Sequence, residues 1–179
     1  MSLNSILVML FGILGVACDF GGTSPGTEAG PTAEIQGLWE TTSVKLTKTT
    51  WDFPTTCEYK NKEYTISTLY HYESGDFTIY LYFPNYAQEG LLAPVYSCQT
   101  EKTMQGTYKF IDKDNMDTTL AGAATGVFNV NISGDEMTLT TVPPSGYVSR
   151  SKKMATTILQ DTVDDCHFAQ NCMIFYKPK

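Results

Sequence analysis

The sequence predicts an all-β fold, an antiparallel barrel or sandwich, on three observations. Apolar and polar residues alternate with period two in several short segments, the pattern of strands with one buried face. Turn residues interrupt these segments at roughly ten-residue spacing, which gives about seven to nine strands. No stretch carries a long apolar stripe at 3.6-residue spacing, so any helix is short.

Ahead of the strands, the 179-residue chain carries an apolar run over 6–17 that ends in Gly15-Val16-Ala17 and is followed by Cys18 and Asp19. About twelve apolar residues fall short of the roughly twenty that span a bilayer, but they match the core of a secretory signal with small residues before the cut. Residues 1–17 are therefore read as a signal peptide. Residues 18–34, built largely of Gly, Ser, Thr and Pro, read as a flexible tether. The remaining 35–179 have the length of one domain with a real core. Small residues directly before a cysteine resemble the lipobox of bacterial lipoproteins. That resemblance implies that Cys18 becomes an acylated N-terminus and that the membrane is a partner through this anchor. It also implies a place in the bacterial cell envelope, at the outer membrane, on its periplasmic face or its surface. The plainer alternative is an ordinary cleaved signal with an incidental cysteine.

The formal net charge of −7 is spread along the chain, which describes an acidic solvated surface. Arg150, Lys152 and Lys153 form a small basic cluster, far less than the broad basic stripe that a nucleic-acid reader needs, so nucleic acid is excluded as a partner. Of five cysteines, Cys18 is assigned to lipid, and Cys57, Cys98, Cys166 and Cys172 remain to form two disulfides in an oxidising compartment. Three connectivities exist, and the preferred one joins Cys57 to Cys98 and Cys166 to Cys172, because the second pair closes a tight loop.

The domain opens with Ile35-Gln36-Gly37-Leu38-Trp39 and a Thr-, Val- and Lys-rich run to about Trp51, a composition that favours a strand. Next, Tyr64, Ile66, Tyr70 and Tyr72 share one parity and Glu63, Thr65, Ser67 and His71 the other. Glu73-Ser74-Gly75-Asp76 then turns the chain, and Phe77, Ile79, Leu81 and Phe83 resume the alternation up to Pro84. In this hairpin the Tyr70 and Tyr72 row falls on the same face as Phe77 and Ile79, with Tyr80 and Tyr82 on the opposite face. Residues 85–94 read as a loop and 95–103 as a strand carrying Cys98. A strand from Gly106 to Ile111 ends in the polar turn Asp112-Lys113-Asp114-Asn115. A second hairpin follows, with Phe128, Val130 and Ile132 inward, a turn at Ser133-Gly134-Asp135-Glu136, and Met137 and Leu139 inward. Two such hairpins suggest an up-and-down meander. Residues 143–153 read as a loop containing Tyr147. Residues 155–163 are ambiguous, 164–170 have room for one or two helical turns, and Met173-Ile174-Phe175-Tyr176 reads as a closing strand.

The Gly37-x-Trp39 pair near the start of an antiparallel meander, and the later Gly106-Thr107-Tyr108-Lys109 run, resemble lipocalins and related calycin-type barrels. In that group the tryptophan closes the bottom of the barrel and the glycine permits close backbone approach. The resemblance implies a single antiparallel up-and-down barrel of about eight strands, with at most a short helix near the C-terminus. It further implies a small hydrophobic or amphipathic ligand inside, or a structural role in the envelope.

Tyrosine is abundant, at eleven residues, and offers an apolar body with a polar tip suited to such a ligand. The candidate ligand-binding residues are Trp39, Tyr64, Tyr70, Tyr72 and Tyr108; packing and cross-strand pairing are the simpler explanation for the same residues. A filled barrel acting as a protein-interaction module through the loops 85–94 and 143–153 is the alternative function. Catalysis is not expected. Neither His71 nor His167 lies in a recognised catalytic signature, and no nucleophile elbow, Ser-x-x-Lys set or His-Glu-x-x-His sequence is present. No cofactor and no metal are expected. Asp164, Asp165, Cys166, His167 and Cys172 have the right atoms for zinc, but their spacing fits no standard pattern and disulfides are favoured. The acidic segment 112–117 lacks key ligands of a calcium loop and reads as a turn.

Overall fold

The computed structural model describes residues 33–86, 91–94, 96–97, 102–103, 105–120, 123–160, 168, 172 and 176–177. Its strands in chain order begin with β1 (Gly37–Leu46), β2 (Thr49–Asp52), β3 (Thr55–Tyr59), β4 (Lys62–Glu73) and β5 (Asp76–Phe83). There follow β6 (Leu91–Pro94), β7 (Tyr96–Ser97), β8 (Lys102–Thr103), β9 (Gln105–Phe110) and β10 (Asn115–Leu120). The last are β11 (Ala123–Ser133), β12 (Glu136–Val142), β13 (Tyr147–Met154) and β14 (Tyr176–Lys177), with a short 3-10 helix at Thr156–Gln160 before β14. Eight of them, β1, β4, β5, β9, β10, β11, β12 and β13, pair in that order, each antiparallel to the next, and β13 returns to β1. The result is a closed up-and-down barrel. Closure leaves none of these eight strands as a free sheet edge.

The two hairpins read from the sequence are present, with the expected parity. Tyr72 lies opposite Phe77, and Ile132 opposite Met137. The same tripeptide, Ser-Gly-Asp, makes two different turns. In the first, Ser74 and Gly75 are the central pair, both at positive φ (51° and 95°) between paired Glu73 and Asp76. In the second, the central pair is Gly134 and Asp135 between Ser133 and Glu136, and Gly134 takes the positive φ of 60°. Both arrangements match the right-handed twist of the flanking strands.

Together with the polar turn 111–114 and the start of β1, these hairpins form one end of the barrel, its floor. Trp39 sits there fully buried, its indole Nε1 donating to the Ile35 carbonyl at 2.6 Å. Lys153 lies over the Trp39 ring, 5.2 Å from its centroid, and donates to the Glu34 carbonyl at 3.3 Å. The core above this floor holds Ile35, Tyr72, Phe77, Ile79, Tyr108, Met116, Val130 and Met137. A bulge between Thr41 and Ser43 shifts the parity of β1. Trp39 and Thr41 therefore point inward below it, and Val44 and Leu46 above it.

Outside the barrel, Ile158 and Leu159 of the 3-10 helix pack with Met154, Tyr80 and Tyr82 around buried Leu38 and Leu69. Tyr80 and Tyr82 thus face outward, as their parity requires. A third cluster extends β4 and β5 beyond the barrel. There Cys57, Ile66, Leu81, Phe83 and Cys172 enclose Phe168, with Tyr59, Tyr64 and Tyr86 packed around it.

Several expectations are corrected. Residues 143–153 are not a loop, because Tyr147–Met154 form β13, the strand that closes the barrel. The proposed strand over 95–103 is two short strands paired with each other, Tyr96 opposite Thr103 and Ser97 opposite Lys102. Within the expected loop 85–94, Leu91–Pro94 pair with β5. The preferred disulfides are also overturned: Cys57 is bonded to Cys172, with Cα atoms 5.4 Å apart. The reason is topological, since β14 pairs with β3 and sets Tyr176 opposite Cys57, which brings the C-terminal segment against β3. Cys18, Cys98, Cys166 and His167 lie outside the described residues.

Candidate ligand-binding cavity

The barrel interior contains a cavity of about 80 Å³. Seven of the eight barrel strands contribute to its wall. β4 and β5 supply Tyr70, Tyr72, Phe77 and Ile79, and β10, β11 and β12 supply Met116, Thr118, Leu120, Thr125, Phe128, Met137 and Leu139. β1 adds Leu46, and β13 adds Tyr147, Ser149 and Ser151. Leu46, Thr125, Phe128 and Tyr147, near the end opposite Trp39, are only half-buried, whereas the floor is fully buried. The cavity is therefore a cup with its mouth at the Leu46 and Tyr147 end.

Its wall has two characters. On one side, Tyr70 and Tyr72 lie nearly parallel, with ring centroids 6.3 Å apart and planes 17° apart, and Phe77 sits 5.6 Å from Tyr72. These residues are neighbours because β4 and β5 form a tight hairpin with one apolar face. On another side, β13 presents Tyr147, Ser149 and Ser151 inward while Val148, Arg150 and Lys152 point outward, and both serines are buried. Phe128 meets Tyr147 edge-on at 5.9 Å near the mouth.

Burial raises the pKa of Tyr70, with Tyr147 and Tyr72 adding to the rise, and raises that of Tyr72, with Tyr147 and Tyr108 adding. Burial likewise raises Tyr147, against a hydrogen bond with Ser149 that lowers it. All three phenols are neutral at pH 7, so they serve as hydrogen-bonding groups and not as charges.

Of the candidate residues, the cavity brings together Tyr70 and Tyr72. Trp39 lies beneath it as the floor. Tyr108 is buried in the core, edge-on to Tyr72 at 5.3 Å, without lining the cavity. Tyr64 packs instead against Phe168 and Tyr86 in the cluster beyond the barrel. Tyr147, Ser149 and Ser151 were missed. Their signal was an alternation of inverted polarity, with small polar residues inward and cations outward, which a search for apolar rows passes over.

The other weighed groups have ordinary environments. His71 is on the outer face of β4, opposite Leu38 and Thr78. Cys172 has its sulfur in the bond to Cys57. The Asp112 carboxylate closes its own turn, accepting from the Asp114 and Asn115 backbone N–H groups at 2.9 and 2.8 Å and from the Asn115 amide. The hydrogen bonds of Asn115 and Asp114 hold its pKa below the usual carboxylate range.

Fold and cavity together define a closed antiparallel eight-stranded barrel with an interior cup, an architecture compatible with the lipocalin-like group. Compared with protein-family models, with curated proteins and with solved structures, the chain matches none of them.

Proposed function

We propose that this is a lipid-anchored bacterial cell-envelope protein whose barrel binds a small hydrophobic or amphipathic molecule and does not transform it. The observation that carries the binding half is the cup itself, apolar over most of its wall, with a few hydrogen-bonding groups, three of them on β13. A floor plugged by the tryptophan of a Gly37-x-Trp39 pair supports kinship with lipocalin-like binders. The anchor half rests on the small residues that precede Cys18. The Cys57–Cys172 bond supports an oxidising compartment such as the periplasm or cell exterior.

A second reading has one observation in its favour. The cavity of about 80 Å³ is smaller than the roughly 150 Å³ that accommodates benzene in an engineered core. Even a one-ring ligand must therefore protrude through the mouth or move Tyr147 and Phe128. A barrel that stays filled would act as a protein-interaction module in the envelope.

Native mass spectrometry of the protein extracted from its own cells separates the two. Ligand binding predicts a co-purifying small molecule, displaced in a Leu139→Trp variant that fills the cup. Its repeated absence from the wild-type protein supports the interaction module and rejects the binder. The same spectra read the anchor, through the mass of an acylated Cys18 at the mature N-terminus.

A further inference from the structure

Resting on the ligand-binding reading, we infer that the ligand is uncharged, and that it carries a hydroxyl or carbonyl group that seats against β13 while an apolar ring packs on Tyr70, Tyr72 and Phe77. The exclusion of charge follows from the wall, where, among the described residues, none that lines it is Asp, Glu, Lys, Arg or His. Lys153, the inward-facing cation of β13, is held at the floor between the Trp39 ring and the Glu34 carbonyl. A carboxylate or ammonium entering the cup would lose its water and meet no counter-charge, which disfavours it strongly. The acidic exterior, with a net charge of −7, adds a long-range repulsion against anions.

The position of the polar group follows from which hydroxyls are already used. Thr118 and Thr125 satisfy each other and the nearby backbone. Thr118 Oγ1 donates to the Gly126 carbonyl at 3.1 Å and Thr125 Oγ1 to the Thr118 carbonyl at 3.0 Å, and the two hydroxyls are also in contact. The β13 side is less complete. Thr41, directly opposite Ser151 on β1, has a buried Oγ1 without a hydrogen-bond partner among the described residues. Beside it, Ser151, Ser149 and Tyr147 rise in a row toward the mouth, and a hydrogen bond joins Tyr147 to Ser149. A buried hydroxyl left without a partner is costly, so Thr41 Oγ1, beside the inward hydroxyls of β13, favours an occupant that supplies a donor or acceptor on this side. Beyond β1, on β4 and β5, the near-parallel Tyr70 and Tyr72 rings and the tilted Phe77 ring offer an apolar aromatic surface.

The test uses three single-ring probes of matched size, p-cresol, toluene and p-toluate, titrated into the purified protein and followed by two-dimensional NMR. Expected are shifts at Tyr70, Tyr147 and Ser149 with p-cresol, about tenfold weaker binding of toluene, and no saturable binding of p-toluate. In the Ser149→Ala/Ser151→Ala double variant the preference for p-cresol over toluene falls toward one. Binding of p-toluate as tight as that of p-cresol overturns the inference, as does equal binding of p-cresol and toluene by the wild-type protein. Those outcomes leave the ligand-binding reading standing. Failure of all three probes to bind removes that reading and the inference with it.

Discussion

Replacing Gly106 by alanine probes how tightly the barrel wall is built beside the cup. Gly106 lies on β9 between Phe77 of β5 and Leu120 of β10. A Cβ built there would stand 2.2 Å from the Thr119 carbonyl oxygen and 2.3 Å from the Phe77 ring. One neighbour is backbone, fixed by the ladder to β10. The other is a buried ring packed against Tyr70 and Tyr72. Neither yields freely, so the ring must move toward the cavity and the strands must part by about 1 Å. Overpacking of this kind costs about 1–3 kcal/mol, and partial exposure of Phe77 raises the expected total to about 3–4 kcal/mol. At about 2–4 °C per kcal/mol for a chain of this size, Tm falls by roughly 6–16 °C. The assay is urea unfolding of wild type, Gly106→Ala, Phe77→Leu and the double variant. Trimming Phe77 makes room for the methyl, so the double variant should be more stable than the sum of single effects by at least about 1 kcal/mol. A Gly106→Ala protein within 0.5 kcal/mol of wild type, or strictly additive effects, would refute the packing argument.

Two other expectations concern the disulfide and the buried phenols. Cys57 and Cys172 are separated by 115 residues, for which chain-entropy reasoning gives a stabilisation of about 4.8 kcal/mol; replacing both by serine should lower the unfolding free energy from urea titration by about that amount, and an unchanged value would deny the bond its role. Tyr70 and Tyr72 have pKa values raised by burial, so below pH 10 both folded and unfolded states keep their protons and these groups add no pH dependence. Above pH 10 the unfolded chain releases protons first, and stability declines with rising pH by about 1.4 kcal/mol per pH unit per tyrosine. Urea midpoints measured from pH 8 to pH 12 check this, and a flat profile above pH 10 counts against buried, neutral phenols.

Much of the barrel was legible because most inner faces follow the simplest rule. Phe77, Ile79, Leu81 and Phe83 alternate with polar or outward residues, and the tyrosines of β4 share a parity with Ile66. Where the inner face departs from apolar composition, the pattern vanished. Strand β13 puts Tyr147, Ser149 and Ser151 inside and follows Pro143, Pro144 and Gly146, so it resembled a loop even though it closes the barrel. Strand β10, with Asn115, Asp117 and Thr119 between its inward Met116, Thr118 and Leu120, was hidden by the acidic turn before it. Half of the cup was therefore visible, the Tyr70 and Tyr72 wall, and the polar half was not. The disulfide was illegible for another reason: proximity in sequence suggested Cys166 and Cys172, while the pairing of β14 with β3 is a long-range fact that no local pattern encodes.

The Trp39 floor gives the barrel a direction. Glu34 and Ile35 lead the chain into β1 at the plugged end, so whatever secures the N-terminal side takes hold of the molecule by its base. The rim around Leu46 and Tyr147 lies at the other end of the barrel. If the cup holds a ligand as proposed, entry and exit share the Leu46 and Tyr147 mouth, and one occupant must leave before another can arrive.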